Sequence, residues 1–399
     1  MSYVRETDGG LAAVRRLLIL VSAIVLVESM FFAVLAPLLP HYVDELGLSK
    51  TEAGILSGIY AFGGLAGAIP SGLIAVRFGV KPTVLSGLAI IVGTSVAFGL
   101  ADSTWVLYAA RFGQGVGSAL AWTGGLAWLV AAAPLGRRGE LIGIAMGAAI
   151  AGALLGPVLG GAASLVGPAP AFGAVAAATV LLGAWAWITP AFLPREEPQP
   201  VRAIASAFRQ PKVLSGFWLV SLAAFLLGVI SVVAPLRLDE LGWGALGISA
   251  AFLISAGVEA GFSPFLGRWS DRHGPLAPVR AGLVACVAVS VVLPLVDLPW
   301  PSLLLVIAAG IAYGVFWVPG TTLLSDGAES AGLELGFGFA LLNVAWAPAN
   351  VVGATVGGAL AGTVGDAGAF LLAAGACLVT LAASLRAGLG QPLPAEEAA

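Results

Sequence analysis

The chain has 399 residues, of which 59% are hydrophobic and only 10% are charged, and its formal net charge is −3. This composition excludes an ordinary soluble globular protein, and so small a net charge gives no reason to expect a nucleic-acid partner. The two cysteines, Cys286 and Cys377, lie in apolar runs without the spacing of a disulfide framework or a zinc site. The sequence therefore indicates a polytopic membrane protein with no metal or other cofactor.

Twelve apolar runs are long enough to cross a hydrocarbon core of about 30 Å, which takes about 20 helical residues. The first run begins after Arg15 and Arg16 and is followed by Pro37 and Pro40, which is typical of a retained span and not of a cleaved signal peptide. The predicted spans cover residues 17–39, 53–75, 83–100, 105–133, 141–165, 169–193, 213–236, 246–267, 276–297, 302–325, 335–362 and 367–386. The expected fold is all-α, with twelve transmembrane helices in two pseudo-symmetric six-helix bundles.

The most polar stretch, residues 194–212, separates the sixth predicted span from the seventh. We interpret it as a cytoplasmic linker between an N-terminal bundle (1–193) and a C-terminal bundle (213–399). An even number of spans places both termini on one side, and placing them in the cytoplasm assigns fifteen of the eighteen Lys and Arg residues to that side. Because cytoplasmic loops carry an excess of positive charge, this orientation in the cell membrane is predicted.

The two halves repeat each other at an offset of about 195 residues. Residues 44–47 after the first span (DELG) recur as residues 239–242 after the seventh span. The pattern GxxxGG at residues 156–161 of the fifth span is echoed at residues 353–358 of the eleventh span. Several matches in the same order indicate an internal duplication, as in membrane folds built from repeated bundles.

Two loops share a pattern of glycines and charged residues, one after the second predicted span and one after the eighth. The first loop reads GLIAVRFGVK over residues 72–81, and the second reads GRWSDRHG over residues 267–274. A carboxylate favours a helix N-terminus by about 0.3 to 1 kcal/mol, so an acidic residue in such a loop can hold the ends of neighbouring helices. The first loop has Val76 where the second has Asp271, and a valine can neither cap a helix nor pair with a cation.

The fifth predicted span carries three glycines at four-residue spacing, Gly152, Gly156 and Gly160, with Pro157 inside the run. Residues four apart share a helix face, so these glycines would let another helix approach closely, while the proline removes a backbone donor and bends the axis. Gly161 completes the pattern GxxxGPxxGG. The fourth span contains a further motif, because residues 111–117 read RFGQGVG.

These motifs resemble those of the major facilitator superfamily, and within it those of the twelve-span drug/proton antiporters. The resemblance covers nearly the whole chain and rests on the two loops, on RxxQGxG in span four and on GxxxGPxxGG in span five, which is the family's antiporter motif. It implies alternating access through two six-helix bundles, and the first loop departs from it at Val76, where the family has Asp. The gating residues that it implies are Gly72, Arg77, Gly79, Lys81, Gly267, Asp271, Arg272 and Gly274.

Three charged residues inside predicted spans are candidates for proton coupling: Glu28 in the first, Arg111 in the fourth and Glu259 in the eighth. A charge at mid-bilayer costs at least about 2.5 to 3.5 kcal/mol on insertion scales, so each residue indicates either a function or a structural ion pair. A buried carboxyl group suits proton loading and release because burial disfavours its charged form. A guanidinium keeps its proton, so Arg111 is expected to tune the protonation of Glu28.

Aromatic and amide side chains in the spans form the candidate binding surface. Rigid rings beside an acid suit a flat, lipophilic cation, since cation–π attraction contributes about 0.5 to 2 kcal/mol for each ring. The alternative is that most of these rings pack against lipid or other helices. The candidate substrate-binding residues are Phe32, Tyr60, Gln114, Trp122, Phe225, Tyr313, Trp317, Asn343 and Trp346.

The residues and the resemblance together favour a secondary antiporter that exports a small hydrophobic or cationic compound against inward proton flow. The expected partners are the lipid bilayer, the small-molecule substrate and protons, and the expected state is a monomer. A sugar or metabolite exporter, or a proton symporter, on the same fold is the alternative, and a membrane sensor is the non-transporter reading. An enzyme or an ATP-driven pump is not expected, because HExxH, GxSxG and GxxxxGK[ST] are absent.

Overall fold

The computed structural model describes residues 8–134, 137–191, 207–274, 276–331 and 335–386. Over these ranges the chain forms α-helices and one 3-10 helix, with no β-strand. The helices of the first half are α1 (Asp8–Ala33), α2 (Leu35–Leu46), α3 (Lys50–Phe78), α4 (Val80–Gly99), α5 (Thr104–Ala132), α6 (Arg138–Val166) and α7 (Pro168–Ile188). Those of the second half are α8 (Pro211–Glu240), α9 (Ala245–His273), α10 (Leu276–Val292), α11 (Pro299–Gly314), α12 (Trp317–Ser330), α13 (Leu335–Thr363) and α14 (Asp366–Arg386), with the 3-10 helix Leu293–Leu295 after α10.

Twelve segments of the described chain are long and apolar enough to cross a membrane. Eleven of them correspond to single helices, with α10 extended by the 3-10 helix, and the twelfth combines α11 and α12. The expected all-α fold with twelve transmembrane helices is therefore confirmed. Helix α2 is the additional element: it contains residues 35–39, the end of the first predicted span, and continues to Leu46.

Prolines account for two interruptions that hydropathy alone does not show. The first span breaks at Val34, since Pro37 supplies no backbone donor to the carbonyl group of Ala33 at the end of α1. The tenth span breaks after Gly314, where α11 ends, and α12 begins with Pro319 in its first turn. Both interruptions bear on the candidate sites described below, because the first lies beside the buried Arg111 and the second beside the partly exposed Glu259.

The described residues fall into two compact units. The first unit contains those of Met1–Leu48 and Ile59–Pro198, and the second contains those of Ser49–Gly58 and Gln199–Ala399. The second unit includes the start of α3, where Gly54 packs closely against Ala354 of α13, and the division expected at residues 193 and 213 stays a prediction. Residues 192–206, which include most of the expected linker, lie outside the described residues.

Small residues set the close helix packing within the first unit. A β-carbon added to Gly87 of α4 would lie 2.6 Å from the carbonyl oxygen of Gly117 on α5, so these two helices approach backbone to backbone. Helix α5 is buried along much of its length, from Leu107 to Ala132. It thereby carries Arg111 into the interior of the unit.

Candidate functional site

Five side chains of the first unit form a buried polar group, which we call the Glu28 cluster. Its members are Glu28 on α1, Tyr60 on α3, and Arg111, Gln114 and Ser118 on α5. The three residues of α5 share one face, since positions three, four and seven apart in a helix are neighbours. Glu28 and Arg111 are each only 1% exposed, so the cluster is enclosed by protein.

Glu28 has few partners for a buried carboxyl group. The hydroxyl group of Ser118 donates to its Oε2 atom over 3.4 Å, and the hydroxyl group of Tyr60 donates to its backbone carbonyl oxygen over 3.3 Å. The other carboxyl oxygen, Oε1, is buried without a hydrogen-bond partner. Within the described part of the chain, no Lys, Arg or His nitrogen lies within 4.0 Å of this carboxyl group. A structural ion pair, the alternative left open by the sequence, is therefore not what holds Glu28.

Arg111 is held by the end of helix α1. Its guanidinium donates to the backbone carbonyl groups of Phe31 and Phe32, in the last turn of α1, and to Oε1 of Gln114 over 3.1 Å. The carbonyl end of a helix carries partial negative charge and lacks internal partners, so a cation there is stabilised. The guanidinium also lies 4.6 Å from the centre of the Tyr60 ring. Tyr60 thus contacts both Arg111 and the backbone of Glu28, and Arg111 makes no direct ion pair with Glu28.

The candidate binding residues of the first unit lie around this cluster. The rings of Phe32 and Tyr60 are 6.1 Å apart and tilted by 50°, and Gln114 lies beside Arg111. Trp122 is partly exposed two turns farther along α5. The structure therefore brings Phe32, Tyr60 and Gln114 together with two of the three candidates for proton coupling.

In the second unit, Glu259 lies on α9 against the break in the tenth span. A β-carbon added to Gly314, the last residue of α11, would overlap the carboxyl group and lie 2.6 Å from its Oε2 atom. One turn earlier, the hydroxyl group of Ser255 donates to the carbonyl oxygen of Ile307 over 3.3 Å and packs against Gly310. Helix α9 is thus attached to α11 by two small residues on α11 and two polar side chains on α9.

The other candidate binding residues of the second unit have varied surroundings. Tyr313 is buried, and its hydroxyl group shares a 2.7 Å hydrogen bond with Ser290, which favours a packing role. Trp317 is 37% exposed at the start of α12, and Phe225 is partly exposed on α8. On α13, Asn343 is exposed and Trp346 is partly exposed.

The glycine stripe of span five packs against the helix that carries Glu28. A β-carbon added to Gly152 would overlap the carbonyl group of Leu26, and one added to Gly156 would lie 2.9 Å from the carbonyl oxygen of Met30. Gly160 packs in the same way against Val34 and Pro37, on the continuation of that helix. The close approach expected from the spacing is therefore present, and its partner is α1. Pro157 and Gly161 are also buried in this stretch of α6.

The two motif loops share a backbone feature that requires glycine. Gly79 and Gly274, which the internal repeat relates, have φ angles of 96° and 78°, a region that residues with a β-carbon rarely adopt. Each glycine makes the sharp turn between two antiparallel spans. The other loop glycines, Gly72 and Gly267, have open space around their α-carbons.

The charged residues of the two motif loops differ in their hydrogen bonds and in their exposure. The ammonium group of Lys81 donates to the backbone carbonyl groups of Trp187 and Thr189, at the end of α7. Arg77 and Arg272 are exposed. The side chain of Asp271 lies outside the described residues. Lys81 thus stabilises a helix end within the first unit, and the gating role of these loops remains a prediction.

Ser118 and an ion-pair network are the polar features that sequence reasoning missed. Ser118 could have been found from its position, since it lies seven residues after Arg111 on the same helix face. The network joins Asp366 to Lys50 over 2.8 Å and to Arg237 over 3.6 Å. Lys50 also pairs with Glu240, and Arg237 with Asp297, both over 2.9 Å. The two residues of each ion pair are far apart in sequence, so no local pattern predicts the network.

Comparison with known proteins gives relatives along most of the chain. The chain is 28% identical to a protein from Salmonella typhi called multidrug resistance protein MdtG over 373 residues, which cover 87% of this chain and 89% of that protein. The corresponding protein of Citrobacter koseri is 28% identical over 377 residues, with coverage of 87% and 88%.

Solved structures and a family model agree with this result. A bacterial homologue of the human lysosomal transporter Spinster, in inward-facing and unoccupied conformation, superposes with a TM-score of 0.72 at 16% identity, covering 94% of this chain and 95% of that one. The occupied form of that homologue gives a TM-score of 0.74 at 16% identity, with coverage of 95% and 98%. At this identity the likeness concerns the fold alone. The family model described as Major Facilitator Superfamily matches residues 21–349, and the chain therefore belongs to the Major Facilitator Superfamily.

Proposed function

We propose that this protein, a transporter of its family and not an enzyme, exports small hydrophobic or cationic compounds in exchange for protons. The relatives called multidrug resistance proteins support the export of such compounds. The observation that carries the coupling to protons is the environment of Glu28. This carboxyl group is enclosed in the first unit, has one unpartnered oxygen and makes no ion pair among the described residues.

Glu28 is the proton carrier in this proposal. An isolated carboxylate in a protein interior is costly, whereas the neutral acid is not, so the group exchanges a proton whenever the transport cycle opens it to water. Arg111 makes no ion pair with the carboxylate: its two terminal nitrogens donate to the end of α1 and to Gln114, and its Nε atom has no hydrogen-bond partner. Arg111 instead fixes the position of the last turn of α1, one turn beyond Glu28, and so keeps the carboxyl group in place.

The span-five motif is linked to Glu28 through the same helix. Gly152 and Gly156 contact the carbonyl groups of Leu26 and Met30, which flank Glu28 in sequence. Because these contacts are made with backbone atoms, which cannot rotate away as side chains can, a movement of α6 would move α1 as well. The proposal therefore gives the motif a physical role, which is to couple the motion of α6 to the proton site.

The proposal places the protein in the cell membrane as a monomer with both termini in the cytoplasm. The twelve apolar helices support a multi-pass membrane protein, and the Lys and Arg distribution supports this orientation. An inward proton gradient then supplies the driving force, since each charge that crosses gains about 2.3 kcal/mol per 100 mV. Its partners are protons, the bilayer and the small-molecule substrate.

The proposal is tested with the purified protein in lipid vesicles, using ethidium as a cationic probe and chloramphenicol as a neutral one. An imposed pH gradient should drive the wild-type protein to move a probe against proton flow. The Glu28→Gln variant should lose this movement by about tenfold or more, the scale of removing one essential proton-transfer group. It should keep the exchange of probe across vesicles that have no pH gradient, which shows that the variant is folded.

The matched control is Glu45→Gln, a change of an exposed glutamate of the first unit that pairs with His41. It should leave pH-driven movement unchanged. Full pH-driven transport by Glu28→Gln would overturn the assignment of Glu28. Movement of the probe in the same direction as protons would replace antiport with symport. Absence of transport of either probe by the wild-type protein would remove the proposed substrate class.

A further inference from the structure

We propose that Glu259 in the second unit is the residue that binds the positive charge of a lipophilic cationic substrate. This inference rests on the proposed export function and names the group that recognises one class of its substrates. Glu28 and Glu259 are the two acids that the sequence analysis singled out inside spans, and their surroundings differ. That difference assigns them different ligands.

The carboxyl group of Glu259 has neither a donor nor a counter-ion from the protein. Within the described ranges no side chain or backbone group donates to it, and no Lys, Arg or His nitrogen lies within 4.0 Å. It is partly exposed, whereas Glu28 is 1% exposed and accepts a hydrogen bond from Ser118. Acids within spans almost always face a bundle interior or a water-filled cavity, so the exposed side of Glu259 is the side that water or a ligand reaches.

The internal repeat relates Glu259 to a glycine, Gly64, so only the second half of the chain has an acid at this position. Ser255, Glu259, Gly310 and Gly314 lie about 195 residues after Tyr60, Gly64, Gly115 and Ala119. In the first unit the corresponding contact is closed by backbone atoms, since a β-carbon on Gly115 would lie 2.8 Å from the backbone nitrogen of Gly64. In the second unit Gly310, the counterpart of Gly115, meets the side chain of Ser255 instead, and the carboxyl group of Glu259 lies one turn away against Gly314.

The position of the Glu259 carboxyl group leaves its two oxygens available to bind a ligand. The group packs on the α-carbon of Gly314, where any larger residue would displace it. Gly314 is the last residue of α11, and the carbonyl end of a helix offers negative partial charge and no N–H donor. Both the carboxylate and the helix end therefore favour a cation, and neither offers a hydrogen-bond donor to an anionic or a neutral acceptor group.

Three aromatic residues follow Glu259 in the next turns of the same helix. Phe262 follows three residues later, its ring lies 4.9 Å from that of Phe265, and the ring of Phe265 lies 6.3 Å from that of Trp269. Phe262 and Phe265 are 40% and 49% exposed. Such rings attract a cation by its charge and an apolar compound by dispersion, so this surface fits a monovalent cation with aromatic substituents.

The carboxylate of Glu259 can hold either a proton or a substrate cation. Binding of the cation is therefore coupled to release of the proton. Binding of the cation displaces the proton of Glu259 to water, and a proton returns from water when the cation departs, so the net charge at Glu259 stays the same in both occupied forms. A neutral substrate gains nothing from the carboxylate. Glu259 therefore selects between cationic and neutral compounds, while Glu28 carries the proton for both.

The test measures equilibrium binding of tetraphenylphosphonium and of triphenylphosphine oxide, a neutral compound of similar shape, to the purified full-length protein. Glu259→Gln should weaken binding of the phosphonium by about tenfold or more and change binding of the oxide by less than about twofold. Binding of the phosphonium to the wild-type protein should weaken as the pH falls, because protons compete for the carboxylate. This pH dependence should vanish in the variant.

Ser263→Ala provides the matched control on α9, since the hydroxyl group of Ser263 bonds only the backbone carbonyl oxygen of Glu259. It should bind both probes as the wild-type protein does. Gly314→Ala provides a second variant that keeps the acid but displaces it, and it should weaken binding of the phosphonium alone. If Glu259→Gln also loses binding of the phosphine oxide, Gly314→Ala is the variant that tests whether the carboxyl group binds the cation.

Wild-type affinity for the phosphonium in both Glu259→Gln and Gly314→Ala overturns this inference, as does a wild-type protein that binds no phosphonium. The same result combined with loss of pH-driven chloramphenicol transport would make Glu259 a proton site only. These outcomes leave the proposed function intact, provided that the wild-type protein moves ethidium or chloramphenicol in vesicles. Failure of that transport is the separate result that removes the proposed function itself.

Discussion

Replacing Gly156 with alanine tests the contact between α6 and α1. A β-carbon at this position would lie 2.5 Å from the β-carbon of Ala33 and 2.9 Å from the carbonyl oxygen of Met30. Ordinary van der Waals contact begins at 3.4 Å, so the two helices must separate by almost 1 Å at this point. Backbone atoms cannot rotate away as the end of a long side chain can, so the strain is shared by both helices.

The expected cost follows from two opposing effects. Overpacking a close contact costs about 1 to 3 kcal/mol. Alanine is a better helix former than glycine by about 1 kcal/mol, which offsets part of this cost. Gly147→Ala is the matched control, because Gly147 lies on the same helix with no atom within 4 Å of an added β-carbon. Both variants gain the same helix propensity, so the difference between their stabilities is the overpacking cost of about 1 to 3 kcal/mol.

The assay compares the two variants in one detergent by reversible unfolding, together with pH-driven transport in vesicles. Gly156→Ala should be less stable than Gly147→Ala and should transport more slowly, because the contact it disturbs adjoins the turn that carries Glu28. Equal stability and equal transport in the two variants would show that α6 and α1 are not in close contact, and the reasoning about the span-five motif would be wrong.

Two further predictions concern charged residues. Arg111→Lys keeps the charge but loses the planar set of donors that reaches the carbonyl groups of Phe31 and Phe32, so the protein should lose about 1.5 to 3 kcal/mol of stability. Arg16→Lys at an exposed position is the control, and equal melting temperatures would contradict the expectation. Asp366→Asn removes the charge of a buried carboxylate that pairs with the partly exposed Lys50 and with Arg237, and it should cost about 2 to 3 kcal/mol. Asp297→Asn, with a side chain that is 86% exposed, should cost about 1 kcal/mol or less, and equal losses would refute this account.

The candidate site could be predicted from the sequence as far as residue identity, but not as far as contacts. Glu28, Arg111 and Glu259 stand out because a charge within an apolar run is costly and therefore rare. Their partners do not stand out, because Arg111 reaches backbone carbonyl groups and Glu259 rests on a glycine. Backbone groups are present at every position, so the sequence does not mark which of them a side chain will meet.

Ser118 and the network around Asp366 illustrate the same limit. A serine is common in apolar helices, and its bond to Glu28 depends on the rotation of α5 relative to α1. Lys50 and Asp366 are separated by most of the chain, and they meet because the first residues of α3 belong to the second unit. The expected boundary at the linker could not reveal this, since hydropathy reports only whether a segment is buried in lipid.

The sequence by itself determined the number of spans, the internal repeat, the glycine stripe and the acids that lie within the membrane. These are local properties, because insertion of a helix depends on about 20 consecutive residues and a helix face on spacings of three and four. Only the tertiary structure decided that the stripe packs against α1, that Arg111 is held by the end of α1, and that Glu259 stands without a partner beside Gly314. These features depend on the rotation and separation of helices distant in sequence, which close packing of small residues sets and which no single segment encodes.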